Sequence, residues 1–269
     1  MKLMGKMLGA ALAALLAGAV LAGCGNAQGE QDVAAIKKAG VLKVGVKADV
    51  PGFGLQNTVT GQYEGFEIEL AKLIAQDILG DPSKAAFTAV TAKTRGPLID
   101  TGELDMIIAT FTITDERKLT YNFTTPYYTD AVGMLVKKSA GIGGLIDLDG
   151  KTIGVAQSAT SKVAIEAAAF ALRGEDMGVS PKFAEFATYP EIKAALDSGR
   201  VDVFSVDKSI LSGYLDDETV ILPDAFAPQP YGVTTKLQNK ALAAYLDGLI
   251  VKWLADGTID RLARQFNLL

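Results

Sequence analysis

Met106-Ile107-Ile108-Ala109-Thr110-Phe111-Thr112-Ile113-Thr114-Asp115-Glu116-Arg117 passes directly from an apolar strand run to a helix start. Residues 106–109 form the short apolar run that a buried strand needs. Thr114 fits a helix N-cap, and Asp115 and Glu116 suit the positive end of the helix it opens. The same change of period recurs on both sides. Toward the N-terminus, 41–46 and 87–91 read as strands. Between them, 66–79 has apolar residues at Phe66, Ile68, Leu70, Leu73, Ile74 and Ile78 and stops at Gly80, a helical pattern with a glycine end. Residues 97–101 read as a short helix with Pro97 at an allowed early position. Toward the C-terminus, 152–156, 182–186, 201–206 and 220–222 read as strands. Helices are expected at 161–172 (ended by Gly174), 191–196 and 208–215, then at 241–255 and 259–266. Strand–helix alternation predicts an α/β fold, with mixed, mostly parallel sheets flanked by helices, and two blocks of it predict two lobes. In open α/β sheets ligands bind beyond the carboxyl ends of the strands. That directs attention to 47–54, 91–95, 110–117, 157–161 and Asp207.

Composition narrows the function. Lys2 and Lys6 precede an uncharged apolar run at 7–21, which ends in Leu21-Ala22-Gly23-Cys24. This is the order of a secretory signal peptide, and the run is shorter than the roughly 20 residues a membrane-spanning helix needs. Residues 1–23 are therefore expected to be a signal peptide and 24–32 a flexible tether. Cys24 is the only cysteine, which excludes an intrachain disulfide. Without the two leader lysines the chain has 24 basic and 31 acidic residues, a net charge of −7 and no basic clusters, which argues against nucleic acid. The chain has no histidine, which removes histidine-dependent nucleophilic catalysis and the usual zinc sites. Gly144 to Thr152 imitates a phosphate loop but has five residues between its glycines where four are required, and it leads into a strand. No metal or cofactor is expected.

The segments after strands offer charges suited to a zwitterion. Arg117 lies in a first helical turn near the mouth of a sheet, where it is either a solvated helix residue or a two-pronged holder of a carboxylate. Asp207 follows a strand of the second block. It can accept from an ammonium group, cap the helix starting near Lys208, or do both, since a carboxylate has two oxygens. Ser158-Ala159-Thr160-Ser161 opens a helix whose backbone N–H groups suit an anion, and ordinary capping explains the same residues. Lys47 and Arg95 each follow a strand. They are either surface charges or two cations facing a ligand side chain, which would favour an acidic group and disfavour a basic one.

Several motifs together resemble the polar amino-acid family of bacterial solute-binding proteins. They are Thr112-Ile113-Thr114-Asp115-Glu116-Arg117 with Asn122-Phe123-Thr124-Thr125-Pro126-Tyr127-Tyr128, then Gly65-Phe66-Glu67-Ile68-Glu69, Leu148-Asp149-Gly150-Lys151-Thr152-Ile153-Gly154-Val155 and Pro230-Tyr231-Gly232-Val233. The resemblance runs from about residue 32 to 269 and implies the two-lobed, type II periplasmic-binding-protein fold. It implies lobe one at 33–132 and 227–269, lobe two at 133–226, and crossings at 131–133 and 225–232. It further implies that Arg117 grips an α-carboxylate with help from Thr112, the Thr110 backbone and the Thr160 N–H, that Asp207 accepts the α-ammonium and that Phe53 walls the pocket. The stretches 44–54 and 91–95 resemble the glutamate/aspartate-binding branch, in which Lys47 and Arg95 would hold the acidic group; glutamine binders are similar there. The chain departs from the family where a glycine-threonine turn is common, having Ser158-Ala159 instead. Residues 21–24 resemble a lipobox, which implies a lipidated Cys24.

The expected protein is therefore a monomeric lipoprotein on the extracytoplasmic face of the cell membrane. It would deliver glutamate or aspartate to the permease and ATPase subunits of an ABC importer. The alternatives are a glutamine/asparagine binder of the same system, an amino-acid sensor module, and a small-molecule dehydratase on the same fold using Glu64, Glu67, Asp49 or Asp130 as an acid. An enzyme is not expected, because apart from Asp207 no carboxylate is placed in the cleft by the sequence.

Overall fold

The computed structural model describes residues 32–173 and 178–269. The expected signal peptide, Cys24 and the Gly174 helix stop lie outside these residues. In chain order, α1 (Val33–Ala39) leads into β1 (Leu42–Val46). Strands β2 (Asp49–Val50), β3 (Gly54–Gln56) and β4 (Tyr63–Glu64) make a small antiparallel flap. Then come α2 (Phe66–Leu79), β5 (Ala85–Ala89), α3 (Arg95–Asp100), β6 (Met106–Ile108), α4 (Asp115–Lys118) and β7 (Tyr121–Phe123). The second block comprises β8 (Tyr128–Lys137), β9 (Thr152–Ala156), α5 (Ser161–Arg173), β10 (Lys182–Phe186), α6 (Tyr189–Asp197), β11 (Val203–Asp207), α7 (Lys208–Ser212), β12 (Thr219–Ile221) and β13 (Phe226–Tyr231). The chain then returns through β14 (Thr234–Lys236) to α8 (Lys240–Ala255) and α9 (Thr258–Gln265).

Two sheets result, one in each lobe. The first has the order β5-β1-β6-β14-β7, and the second β10-β9-β11-β8-β12 with β13 paired to β8. Parallel pairing is confined to β5-β1-β6 and β10-β9-β11, where strand–helix alternation requires it. The remaining pairings in these two sheets are antiparallel and join strands far apart in the chain: β8 with β11, β12 and β13, and β14 with β6 and β7. In both parallel sets the earliest strand lies in the middle, so the chain leaves it in opposite directions, and a crevice forms there at the carboxyl ends. The crossing expected at 131–133 falls within β8 and the one expected at 225–232 spans β13, which pairs with β8 over residues 128–132.

Helix α2 illustrates the packing. Phe66, Ile68, Leu70, Ala71, Ile74, Ala75 and Ile78 are buried, and Gly80 ends the helix in the left-handed conformation with its N–H on the Gln76 carbonyl. Each large apolar side chain buried here contributes roughly 1.5–3 kcal/mol. Glu67 is buried among them, and its reason lies in the site.

Candidate functional site

The carboxyl ends of β6, β9 and β11 and the starts of α3, α5 and α6 converge on one small enclosed cavity. It is lined by Ala92, Arg95, Thr110, Thr112, Ala159, Thr160, Ser161, Tyr189, Val206 and Asp207, which come from both lobes. Its free space is about 10 Å³, room for no more than about one water, so the halves must separate for anything larger to enter. Outside it a groove of about 670 Å³ is bounded by Arg117, Ser158, Val163 and Gln229, with Thr112, Ala159 and Thr160 shared between groove and cavity.

Three polar atoms of cavity-lining residues are buried without a hydrogen-bond partner: Arg95 Nε, Thr110 Oγ1 and Ser161 Oγ. Buried polar groups are normally paired, and an unmet one costs about 1–3 kcal/mol. All three groups can donate, and the arginine cannot accept. The cavity thus offers surplus donors to an acceptor-rich group.

Arg95 begins α3 and does not sit on a loop. It is 4% exposed. Its Nη1 donates to the carbonyls of Ala109 (2.7 Å) and Thr110 (3.3 Å), and its guanidinium lies 3.7 Å from the centre of the Phe111 ring. Among the described residues it forms no ion pair within 4.0 Å. The backbone turns sharply at Thr110, which has φ 45. The Thr110 N–H is taken by Glu67 Oε1 (2.6 Å), which also accepts from the Tyr127 hydroxyl (2.5 Å). Burial pushes Glu67 up to about 7, against the pull of those hydrogen bonds and of Arg95 and Lys47.

Asp207 ends β11 and is 5% exposed. It does not cap α7 with its side chain. Asp130 does that work, accepting from the Ser209 N–H at 3.0 Å and from the Ser209 hydroxyl. Asp207 instead accepts from the Tyr231 hydroxyl. Burial raises its pKa to about 7; neighbouring Asp130 adds to this, while the Tyr231 bond, Arg95 and Arg117 oppose it.

Arg117 lines the groove and not the closed cavity. Thr114 caps its helix as expected, accepting from the Arg117 N–H at 3.1 Å. The guanidinium donates to the Thr112 carbonyl (2.8 Å) and, across the lobes, to the Ser158 carbonyl (3.1 Å). Burial lowers its pKa to about 9, leaving it charged at neutral pH. Ser158 has φ 61, a left-handed backbone where the family's glycine would be at ease. The hydroxyls of Thr112 (2.8 Å) and Thr160 (2.7 Å) both donate to Gln229 Oε1.

Two expected residues stand behind the site. Lys47 is buried but pairs with Asp49 at 3.0 Å and lies 4.4 Å from the centre of the Tyr189 ring, one aromatic layer from the cavity. Burial lowers its pKa. Phe53 is not a wall: it is fully buried in the core, edge-on to Phe66, Tyr128 and Tyr231, and so backs the tyrosine that holds Asp207. Sequence reasoning missed Tyr189, Gln229 and Tyr231 as site residues, and had Ser161 only within the helix start 158–161. Glu67 carried a signal: at helical spacing it shares a face with Leu70, Ala71 and Ile74. Among the described residues no group of three or more acidic side chains could hold a metal.

Two lobes with a donor-lined cavity between their crevices define a solute-binding protein. The chain belongs to the bacterial extracellular solute-binding proteins, family 3, whose model matches residues 42–268. It is 36% identical over 98% of its length to the ABC transporter glutamine-binding protein GlnH of Bacillus subtilis (strain 168), covering 97% of that protein. It is also 36% identical to the glutamine-binding protein of Geobacillus stearothermophilus, over 86% of this chain and 92% of the relative. A crystal structure of the solute receptors for L-cysteine of Neisseria gonorrhoeae superposes with a TM-score of 0.76 at 27% identity, covering 88% of this chain and 94% of that one. These relatives are substrate-binding proteins of transporters and not enzymes.

Proposed function

We propose that the protein captures glutamate or aspartate between its lobes and delivers it to an ABC importer. The observation that carries the acidic reading is the donor surplus around the cavity: a buried arginine with no ion pair among the described residues, beside two unmet hydroxyls. A ligand carboxylate meets such donors through charge-assisted bonds. Arg117 would grip the α-carboxylate once its bond to the Ser158 carbonyl is exchanged, and Asp207 would accept the α-ammonium. Lys47, already paired with Asp49, would contribute its field and no direct contact. The lobes would be residues 33–132 with 227–269, and 133–226, hinged on the paired strands β8 and β13. The ligand then favours closure because it touches both lobes at once.

A glutamine ligand is the second reading, favoured by the names of the two relatives at 36% identity. Calorimetry on protein unfolded, stripped and refolded, against glutamate, aspartate, glutamine and asparagine, decides between them. Glutamate or aspartate binding at least tenfold more tightly than glutamine supports the acidic reading, and the reverse order overturns it. Cys24, in the order Leu21-Ala22-Gly23-Cys24, would carry the lipid anchor. Two acyl chains suffice for stable anchoring where one is marginal. Cys24→Ser should move the protein from the membrane fraction to the soluble one, and retention on the membrane would count against the anchor.

A further inference from the structure

Gln229 is 2% exposed and stands on β13, one of the two strands that cross between the lobes. Its carboxamide is held at both ends. The amide Nε2 donates to the Ala227 carbonyl at 2.9 Å. The amide oxygen accepts the Thr112 hydroxyl at 2.8 Å and the Thr160 hydroxyl at 2.7 Å. An amide oxygen has two lone pairs, so its accepting capacity is filled.

The backbone is shaped for this. The register of β13 against β8 shifts between Phe226 and Pro228, and Ala227 there has φ 39, uncommon for a residue with a Cβ. Such a bulge re-aims the side chains that follow it. The three groups come from different parts of the molecule. Thr112 is tied to the far end of β13 by a bridge to Tyr231 and by the Ile113 N–H on the Pro230 carbonyl at 2.7 Å. Thr160 belongs to the β9–α5 loop of the second lobe. Thr112 and Thr160 line both the closed cavity and the open groove, and Gln229 lines the groove. The three side chains thus stand on the partition between the two.

We propose that Gln229 is a positioning residue that clasps the two lobes at the partition and sets how long the cavity stays shut. This rests on the reading of the cavity as the amino-acid site. A contact made only in the closed form slows opening and leaves encounter untouched, so its loss falls on dissociation. One interlobe hydrogen bond is worth about a five- to tenfold factor.

The test is stopped-flow release of whichever amino acid the wild type binds most tightly, with interlobe distance measured by dyes on the two lobes. Gln229→Leu should release ligand about five to ten times faster with association changed by less than about twofold, and should populate wider distances without ligand. Thr160→Val, which keeps its backbone N–H, should act alike, and added to Gln229→Leu it should change release by less than about twofold more. Fully multiplicative effects, or a lower melting temperature with unchanged release and distances, would overturn the clasp. If the wild type bound no amino acid, the cavity reading would fail, and the ligand-free distances would still decide the clasp.

Discussion

The Tyr231 hydroxyl donates to the carboxylate of Asp207, so the acidic group at the end of β11 is held by the last residue of β13. Asp207 is carried to about 7 mainly by burial, and the tyrosine acts against that rise. A carboxyl with a higher pKa folded than unfolded binds its proton more tightly in the folded protein. The stability this brings is complete below about pH 4 and lost as pH rises through about 7. Glu67 adds the same sign. Urea unfolding of the ligand-free protein should therefore show stability falling from pH 5 to pH 8, with a shallower fall in Asp207→Asn. Affinity should run the other way, since an ammonium needs the ionised carboxylate, and Tyr231→Phe should move the loss of affinity to higher pH. A flat stability profile would remove the buried-acid account.

Arg95→Ala should lower glutamate affinity at least tenfold and spare glutamine, which corresponds to a charge-assisted contact of roughly 1.5–3 kcal/mol. Calorimetry with both ligands reads this directly. Equal losses would mean that Arg95 serves only the Ala109 and Thr110 carbonyls.

Gly213 of the second lobe faces the Pro51 ring of the flap, and a Cβ there would meet ring carbons at 2.9 Å. Nearby, the Tyr214 hydroxyl donates to the Asp49 carbonyl at 2.5 Å and the Tyr189 N–H to Asp49 Oδ2 at 3.3 Å. Gly213→Ala should therefore obstruct closure without disturbing either core. Affinity should fall about tenfold, the order expected when roughly 1–2 kcal/mol of overpacking falls on one state alone. The ligand-free melting temperature should hardly move. Small-angle scattering should show a larger radius of gyration at saturation than in the wild type.

Ser158→Gly should stabilise the protein by several tenths of a kcal/mol to about 1 kcal/mol. A left-handed backbone costs an ordinary residue about 1–2 kcal/mol, part of which is offset by the greater unfolded freedom of glycine. The midpoint of urea unfolding measures it. A lower midpoint would mean that the serine side chain does unseen work in this turn.

How much of this was legible depended on distance along the chain. Helix α2 could be read to the residue because its face, its spacing and the Gly80 stop are all local. Strand β13 was hidden by Pro228 and Pro230, which argue against a strand interior; its partner strand is β8, and on its other edge Pro230 takes part through its carbonyl, which accepts from the Ile113 N–H, so no proline N–H is needed there. Asp207 and Arg117 stood out as charges at strand ends. Gln229 and Tyr231 did not, since their partners Thr112, Thr160 and Asp207 lie far off in sequence and no local pattern announces them. Lys47 is the opposite case: its ion-pair partner Asp49 is only two residues on, but a contact across a strand turn is set by geometry that spacing does not reveal.

All strands of the second sheet come from the unbroken stretch between Tyr128 and Tyr231, whereas the first sheet needs β14 from beyond it. The second sheet is in effect a cassette spliced into the first. Recombination between relatives at two points could therefore exchange Thr160, Ser161, Tyr189 and Asp207 as a block while Arg95, Thr110 and Arg117 remain. The part of the cavity lining that comes from this stretch can thus be inherited separately from the rest, which gives such a scaffold a direct route to new cavity linings.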